Sequence, residues 1–384
     1  MKPGTHFLLA LALLALSMAT RADDALSVGS SARVDERTVT LTKLDTLPFV
    51  ESEYTKRFKF DTFSNPKLIE LRERYHLDQV VAPGKDEFER QVLLNDWVHR
   101  QFKKFGQPSV KTQGALDILQ AIDKGNTFFC AQYAVTLVSA AASLGWVDRP
   151  LALRRHQGVN KVGGSTEHSV TEMWSNQFGK WVMFDPTSNM HLEKDGVPLS
   201  AYEIRQEWFY HDGAGLVFVV GKEGKKYRKA DLPIVLETFP GFGTLTVEPD
   251  EMDKYGFTAF VPNTNLMDAG LDYGKMFIIK DQLCDGTQWH ERTVPANPAT
   301  DPYFPIGQAA LTLKADAGKI AVSLRTLCPN FKQYEVRRDG GEWQATKDHF
   351  PWEIHAGKNR LETRTVNQFG VPGPVSTAEV EAKE

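Results

Sequence analysis

Cysteine is scarce in this chain: its 384 residues include three, Cys130, Cys284 and Cys328. Three thiols cannot all pair within one chain, so one is left over. An excess of charge of one sign is also missing. The 45 basic and 49 acidic residues leave a net charge of −4, with no long block of either sign. Nothing in that balance calls for nucleic acid or an anionic membrane surface as partner. No calcium loop of the DxDxDG type occurs, so no cofactor or metal is expected. Internal repeats and low-complexity tracts are absent. After residue 22 no stretch is apolar enough to span a bilayer, which needs roughly 20 residues.

The first 22 residues differ from the rest. A lysine, the apolar run FLLALALLALSMA and a small-residue end at Ala22 have the layout of a secretory signal peptide. No cysteine near that end offers a lipoprotein anchor. A secreted or periplasmic location is therefore expected, where thiols that can pair usually do. Cys284 and Cys328 flank a β-type region and are expected to bridge each other. Cys130 is then the odd cysteine, either intermolecular or reactive.

A chain of this length is expected to divide into two or three domains. Residues 23–64 are polar, with alternating stretches such as RTVTLTKL that suggest one or two strands. Residues 65–214 begin helical, in NPKLIELRERYHL, DEFERQVLLNDWVHRQF and GALDILQAI. A run apolar almost all round follows, AQYAVTLVSAAASLGW, the signature of a buried helix. The period then changes to two in RPLALRR, HSVTEMW and KWVMFDPT. Residues 215–304 are a β-rich middle region. Residues 305–384 hold short alternating strands at regular spacing, which predicts a sandwich.

Cys130 opens the buried helix. A sulfur there sits beside unpaired backbone N–H groups and the positive end of the helix dipole, both of which favour thiolate. Asn126 and Thr127 are candidate caps just upstream. A cysteine next to Phe128 and Phe129 can equally be a small core residue. A nucleophile needs a base, and HSVTEMWSNQFGKWVMFDPT (168–187) offers one. With SNQF as an even-length turn, the two runs form a hairpin in which position i faces 353 − i. His168 then stands opposite Asp185, with Cβ atoms about 4.5–5.5 Å apart. The carboxylate would hold one ring nitrogen and leave the other for the thiol. A surface His–Asp pair is the plainer alternative.

Cysteine at a helix start, histidine at a strand start and aspartate at the end of the next strand stand in order. That order resembles the transglutaminase-like superfamily of papain-like cysteine enzymes, in an exported bacterial-type form. The match runs through GNTFFCAQYAVTLVSAAASLGWVDRPLAL, HSVTEMW and KWVMFDPT, roughly residues 85–210. Val170 stands where that family often has tryptophan. The resemblance implies an α+β fold, with helices packed on an antiparallel sheet and 65–214 as the catalytic domain. It makes Cys130 the nucleophile, His168 the general base and acid, and Asp185 its orienting group. Gln113 and the Cys130 backbone N–H are candidate oxyanion donors. The C-terminal strands resemble an immunoglobulin or fibronectin III module, which specifies no ligand.

The activity implied is amide or peptide hydrolysis through a thioacyl-enzyme on Cys130. The substrate would be a peptide, a protein or a cell-envelope glycan. Crosslinking, polysaccharide cleavage and non-catalytic binding of peptide or glycan are the alternatives. Trp97, Trp174, Trp181 and Trp208 could stack on sugars or be core. His191, His211 and Phe209-Tyr210 could line a cleft or be ordinary loop and helix residues.

Overall fold

The computed structural model describes residues 25–155, 167–239, 243–262, 264, 266–269, 276–279, 283, 293–296, 301–316 and 318–384. The segment read as a signal peptide and Cys284, with its expected bridge to Cys328, lie outside the described residues. The fold is mixed α+β. No helix among the described residues is long and apolar enough to cross a membrane.

A short helix, Glu53–Arg57, lies in the segment expected to be extended, and the main helical stretch begins at Pro66. Asn65 caps Pro66–Arg74, its side chain accepting from the Lys67 N–H at 3.0 Å. The run does not continue through Leu77 as one helix. His76 takes a left-handed conformation (φ 51°) and separates Pro66–Arg74 from the short helix Leu77–Val81. Asp86 caps the long helix Glu87–Gln101 by accepting from the Glu89 N–H at 2.9 Å. The helices Gly114–Asp123 and Cys130–Ser143 follow.

Cys130–Ser143 is the centre of the helical layer. Tyr133, Ala134, Leu137, Val138, Ala140 and Ala141 are wholly buried. All of these but Ala134 share a core with Leu71, Leu94 and Val98 of the other helices and with Met173, Val182 and Phe184 of the sheet. Burial on every side explains why the sequence of this helix has no polar face. Its end is set by Gly145, at φ 84°, where a Cβ would meet the Phe369 ring at 2.6 Å. A left-handed residue with no side chain is required there.

The main sheet has the order Thr293–Ala296, Met276–Ile279, Phe257–Phe260, Asp148–Arg154, Glu167–Ser175, Lys180–Phe184. Pairing is antiparallel except between the first two strands. The middle region 215–304 therefore does not stand apart. Phe257–Phe260 pairs directly with Asp148–Arg154, and Val217–Val220 pairs with Met190–Lys194. Strand pairing across some 100 residues is invisible to local periodicity.

The N-terminal strands are regrouped in the same way. Ser31–Val34 and Arg37–Asp45 form a hairpin, and Arg37–Asp45 pairs antiparallel with the last strand, Ser376–Lys383. Residues 31–45 thus belong with the C-terminal unit, whereas Tyr54 and Phe58 pack into the core of the main sheet. There a six-stranded sheet faces the three strands Ala310–Asp316, Lys319–Arg325 and His349–Trp352. Leu41, Leu313, Val322, Leu361 and Val380 fill the space between the two sheets. This unit is fastened to the helical layer. Asn367 Nδ2 donates to the Gly145 carbonyl at 3.1 Å, and Phe63 meets Phe369 edge-on at 4.7 Å.

Candidate active site

Cys130 is the first residue of its helix. Phe129 occupies the capping position, and no side chain caps the helix start. Asn126 and Thr127, the expected caps, are used elsewhere. Asn126 Nδ2 donates to the Ala121 carbonyl at 2.9 Å, and Thr127 Oγ1 to the Gln107 carbonyl at 2.6 Å. These bonds close the loop before the helix, whose first turn is joined to Phe129 by the Gln132 N–H donating to its carbonyl at 3.0 Å. Gln113 begins the helix Gly114–Asp123, with its backbone N–H donating to Asp117 Oδ2 at 3.1 Å.

The hairpin that carries His168 differs from the expected register by two residues. The turn is Asn176–Gly179, not Ser175–Phe178. Ser175 pairs with Lys180 and Thr171 with Phe184, so position i faces 355 − i. His168 and Asp185 are therefore not directly opposed. Because the shift is even, it preserves which side chains share a face. Asp185 becomes a diagonal neighbour of His168, at a spacing that long side chains still bridge. They meet: His168 Nε2 lies 2.8 Å from Asp185 Oδ2.

Asp185 is locked by its own loop. Its backbone exchanges hydrogen bonds with Met190, at 2.9 and 3.0 Å. Its Oδ1 accepts from the N–H groups of Thr187 and Ser188, at 2.9 and 3.0 Å. One carboxylate oxygen thus holds the turn and the other faces the imidazole. Asp185 is 2% exposed and His168 14%. Low exposure strengthens their attraction, because little water screens it.

With Nε2 committed to Asp185, Nδ1 is the ring nitrogen left for Cys130. Burial alone would push the Cys130 thiol up. The hydrogen bond to His168, its positive charge and the Ser169 backbone outweigh burial and bring the thiol below its ordinary value. For His168 burial opposes charging, but Asp185 and then Cys130 outweigh it and push the imidazole up to about 10. Asp185 is held below the usual carboxylate range: burial works against ionisation, and His168 and Ser188 overcome it. Both shifts run toward a thiolate beside an imidazolium, the form in which a thiol is nucleophilic.

The directions of these shifts set a pH profile. Turnover is expected to rise as the Cys130–His168 pair loses its first proton, below the ordinary thiol range. It is expected to fall again as the imidazolium deprotonates near 10. The two limbs belong to the coupled pair rather than to either residue. The stabilisation that His168 gains from its partners is complete below its ordinary 6.5 and is lost as pH rises through about 10. A profile of Cys130 alkylation rate against pH checks the acid limb. An ordinary thiol midpoint there would contradict this electrostatic account.

The remaining sequence candidates lie elsewhere. Trp174 and Trp181 are buried at 4% and 1%, and Trp181 stacks on the Arg149 guanidinium at 4.0 Å. Trp97 packs on Tyr75, and Trp208 donates to Asp253 Oδ1 at 3.1 Å. His191 is buried beside Glu193 at 3.3 Å and packs edge-on against Phe88. His211 ends the helix Ala201–Tyr210, which carries Phe209 and Tyr210. Val170 is wholly buried. Phe128 is wholly buried in the helical core, whereas Phe129 is partly exposed at the helix start. Burial lifts the Cys328 thiol to about 11, the opposite of Cys130.

Residues outside the set of site candidates also brace the strands that carry the site. Arg149 and Glu172, both fully buried, form a 2.5 Å ion pair inside the sheet. Glu172 also accepts from the Ala201 N–H at 2.7 Å and the Tyr303 hydroxyl at 2.9 Å. His99 reaches the Asp185 loop from the long helix. Among known proteins, no family model matches the chain and no curated relative does.

Proposed function

We propose that this chain is an exported cysteine-dependent acyl-transfer enzyme of transglutaminase-like type, hydrolysing an amide or peptide bond through a thioacyl-enzyme on Cys130. The observation that carries this reading is the continuous Cys130–His168–Asp185 contact at an uncapped helix start. In this reading the helical layer and main sheet are a papain-like core. The C-terminal pair of sheets is an immunoglobulin-like module.

The steps follow from the atoms present. The Cys130 thiolate adds to the substrate carbonyl carbon, and the carbonyl oxygen takes up the negative charge. The Cys130 backbone N–H, at the positive end of a 14-residue helix, is the donor assigned to that charge. His168 then gives its proton to the leaving amine as the C–N bond breaks. Neutral His168 removes a proton from water, and the resulting hydroxide equivalent attacks the thioester carbonyl. The acid leaves, the thiolate returns and His168 is protonated again. Asp185 keeps the ring oriented and stabilises its positive charge throughout. Peptides, proteins and peptide-bearing cell-envelope glycans all supply the required amide.

Mass spectrometry tests the reading. Incubation with a peptide library and with cell-wall digests is expected to leave an acyl adduct on Cys130 of the wild-type chain, trapped by acid quench. His168→Ala is expected to leave none. An unmodified Cys130 across all substrates, combined with slow alkylation by iodoacetamide at neutral pH, would sink the assignment.

A further inference from the structure

The turn that holds Asp185 is gripped from outside by one helix, and the grip is asymmetric. His99, on Glu87–Gln101, places Nδ1 3.2 Å from the Pro186 carbonyl and 3.1 Å from the Thr187 carbonyl. Carbonyls only accept, so Nδ1–H donates. Nε2 lies 3.1 Å from Glu237 Oε2, on the strand Ile234–Phe239. The ring is 13% exposed, and Tyr133 of the Cys130 helix lies alongside at 6.4 Å between ring centroids. One turn earlier, Asn95 Nδ2 donates to Asn189 Oδ1 at 3.3 Å, and Asn189 Nδ2 donates to Asp96 Oδ1 at 2.9 Å.

The same turn supplies the two N–H groups that hold Asp185 Oδ1. A carboxylate tied to the Thr187 N–H moves with the Pro186–Thr187 peptide, and that peptide is tied to His99. We propose that His99 is a positioning residue for Asp185. Its Nδ1 fixes the turn, and Glu237 fixes the ring through Nε2. The proposal rests on the assignment of Cys130, His168 and Asp185 made above and adds a fourth residue that touches neither substrate nor thiol. The strand Ile234–Phe239 thereby becomes part of the site's support: Phe239 packs near Phe105 at 6.2 Å, beside the loop leading to Cys130.

The two ring nitrogens can be tested separately. Asparagine places an amide N–H where Nδ1 stands, and glutamine places one where Nε2 stands. The readout is the rate of Cys130 alkylation by iodoacetamide against pH, in the full chain, with thermal unfolding measured on each variant. His99→Gln loses the turn contact. A misplaced Asp185 supports the imidazolium less well, so the acid limb is expected to move to higher pH and the rate at pH 7 to fall about tenfold. His99→Asn keeps the turn contact and is expected to stay within about threefold of wild type. Wild-type profiles in both variants, or equal losses in both, overturn the proposal, since a merely structural histidine would not distinguish the two amides. If His99→Gln folds poorly, Glu237→Ala, at a half-exposed side chain, carries the test. It is expected to move the same limb in the same direction, by about threefold in rate, and an unchanged profile overturns the proposal. The two levels remain distinguishable. A wild-type chain whose Cys130 reacts no faster than Cys328 fails the proposed function. A reactive wild type with indifferent His99 variants fails only the positioning role.

Discussion

Cys130→Ala is expected to lower turnover by about 10⁴-fold or more while leaving the melting temperature close to wild type. The asymmetry follows from where the sulfur sits. Cys130 is at the first turn of its helix and partly exposed, so losing one sulfur opens little space in the core. In the proposed chemistry the nucleophile itself is lost. His168→Ala is expected to match it in activity, because a thiol without its imidazolium partner returns towards its ordinary ionisation. The two losses should not add, since the residues act as a unit. Turnover of the trapped substrate and a thermal melt on each variant decide the matter. A strongly destabilised Cys130→Ala would show that the residue serves packing instead.

The second large effect is expected in stability. Glu172→Ala should cost about 3–5 kcal/mol and lower the unfolding midpoint in denaturant, because Arg149 is left charged and unpaired in the core. The Arg149 guanidinium is enclosed by Trp181, Phe260, Tyr303 and Tyr54 at 4.0 to 5.7 Å, and Glu172 is the carboxylate that pairs with it. The loss also frees the Ala201 N–H and the Tyr303 hydroxyl that Glu172 accepts from. Replacing Arg149 and Glu172 together by apolar residues of similar volume should cost much less than the single change. A single change worth under about 1 kcal/mol would contradict this, as would a double change worse than the sum. Glu172 lies four residues after His168, so unfolding of this region would carry activity away with it. The sign of a structural role is lost activity that follows lost stability.

The sequence carried much of the site because the site's parts are local. An apolar run with no polar face marks a helix buried on all sides, and Cys130 stands at its head. Alternation on either side of SNQFG marks a hairpin, and its parity puts His168 and Asp185 on one face. That parity survived a turn displaced by one residue, because the displacement moved the register by two. The exact opposition did not survive. The turn formed around Gly179, at φ 61°, a conformation open to glycine and costly for most residues. The caps were misassigned for a related reason. Asn126 and Thr127 have capping chemistry, but Phe129 takes the capping position, Asn126 Oδ1 accepts from Ser109 Oγ at 2.9 Å and Thr127 Oγ1 donates to the Gln107 carbonyl.

What the sequence determined by itself is the buried helix, the main strands and the residues that could form a thiol–imidazole–carboxylate chain. Period, apolar faces and turn residues are properties of neighbours along the chain, and hydrophobic burial reads them directly. The tertiary structure decided the rest. It placed 217–220 and 257–260 in sheets with strands that precede them, and it joined 37–45 to 376–383. It brought His99 and Glu237 to the Asp185 turn from 87 and 51 residues away in sequence. Backbone pairing and buried polar contacts of that span depend on which surfaces meet. That is settled only when the whole core closes and every buried donor must find its acceptor.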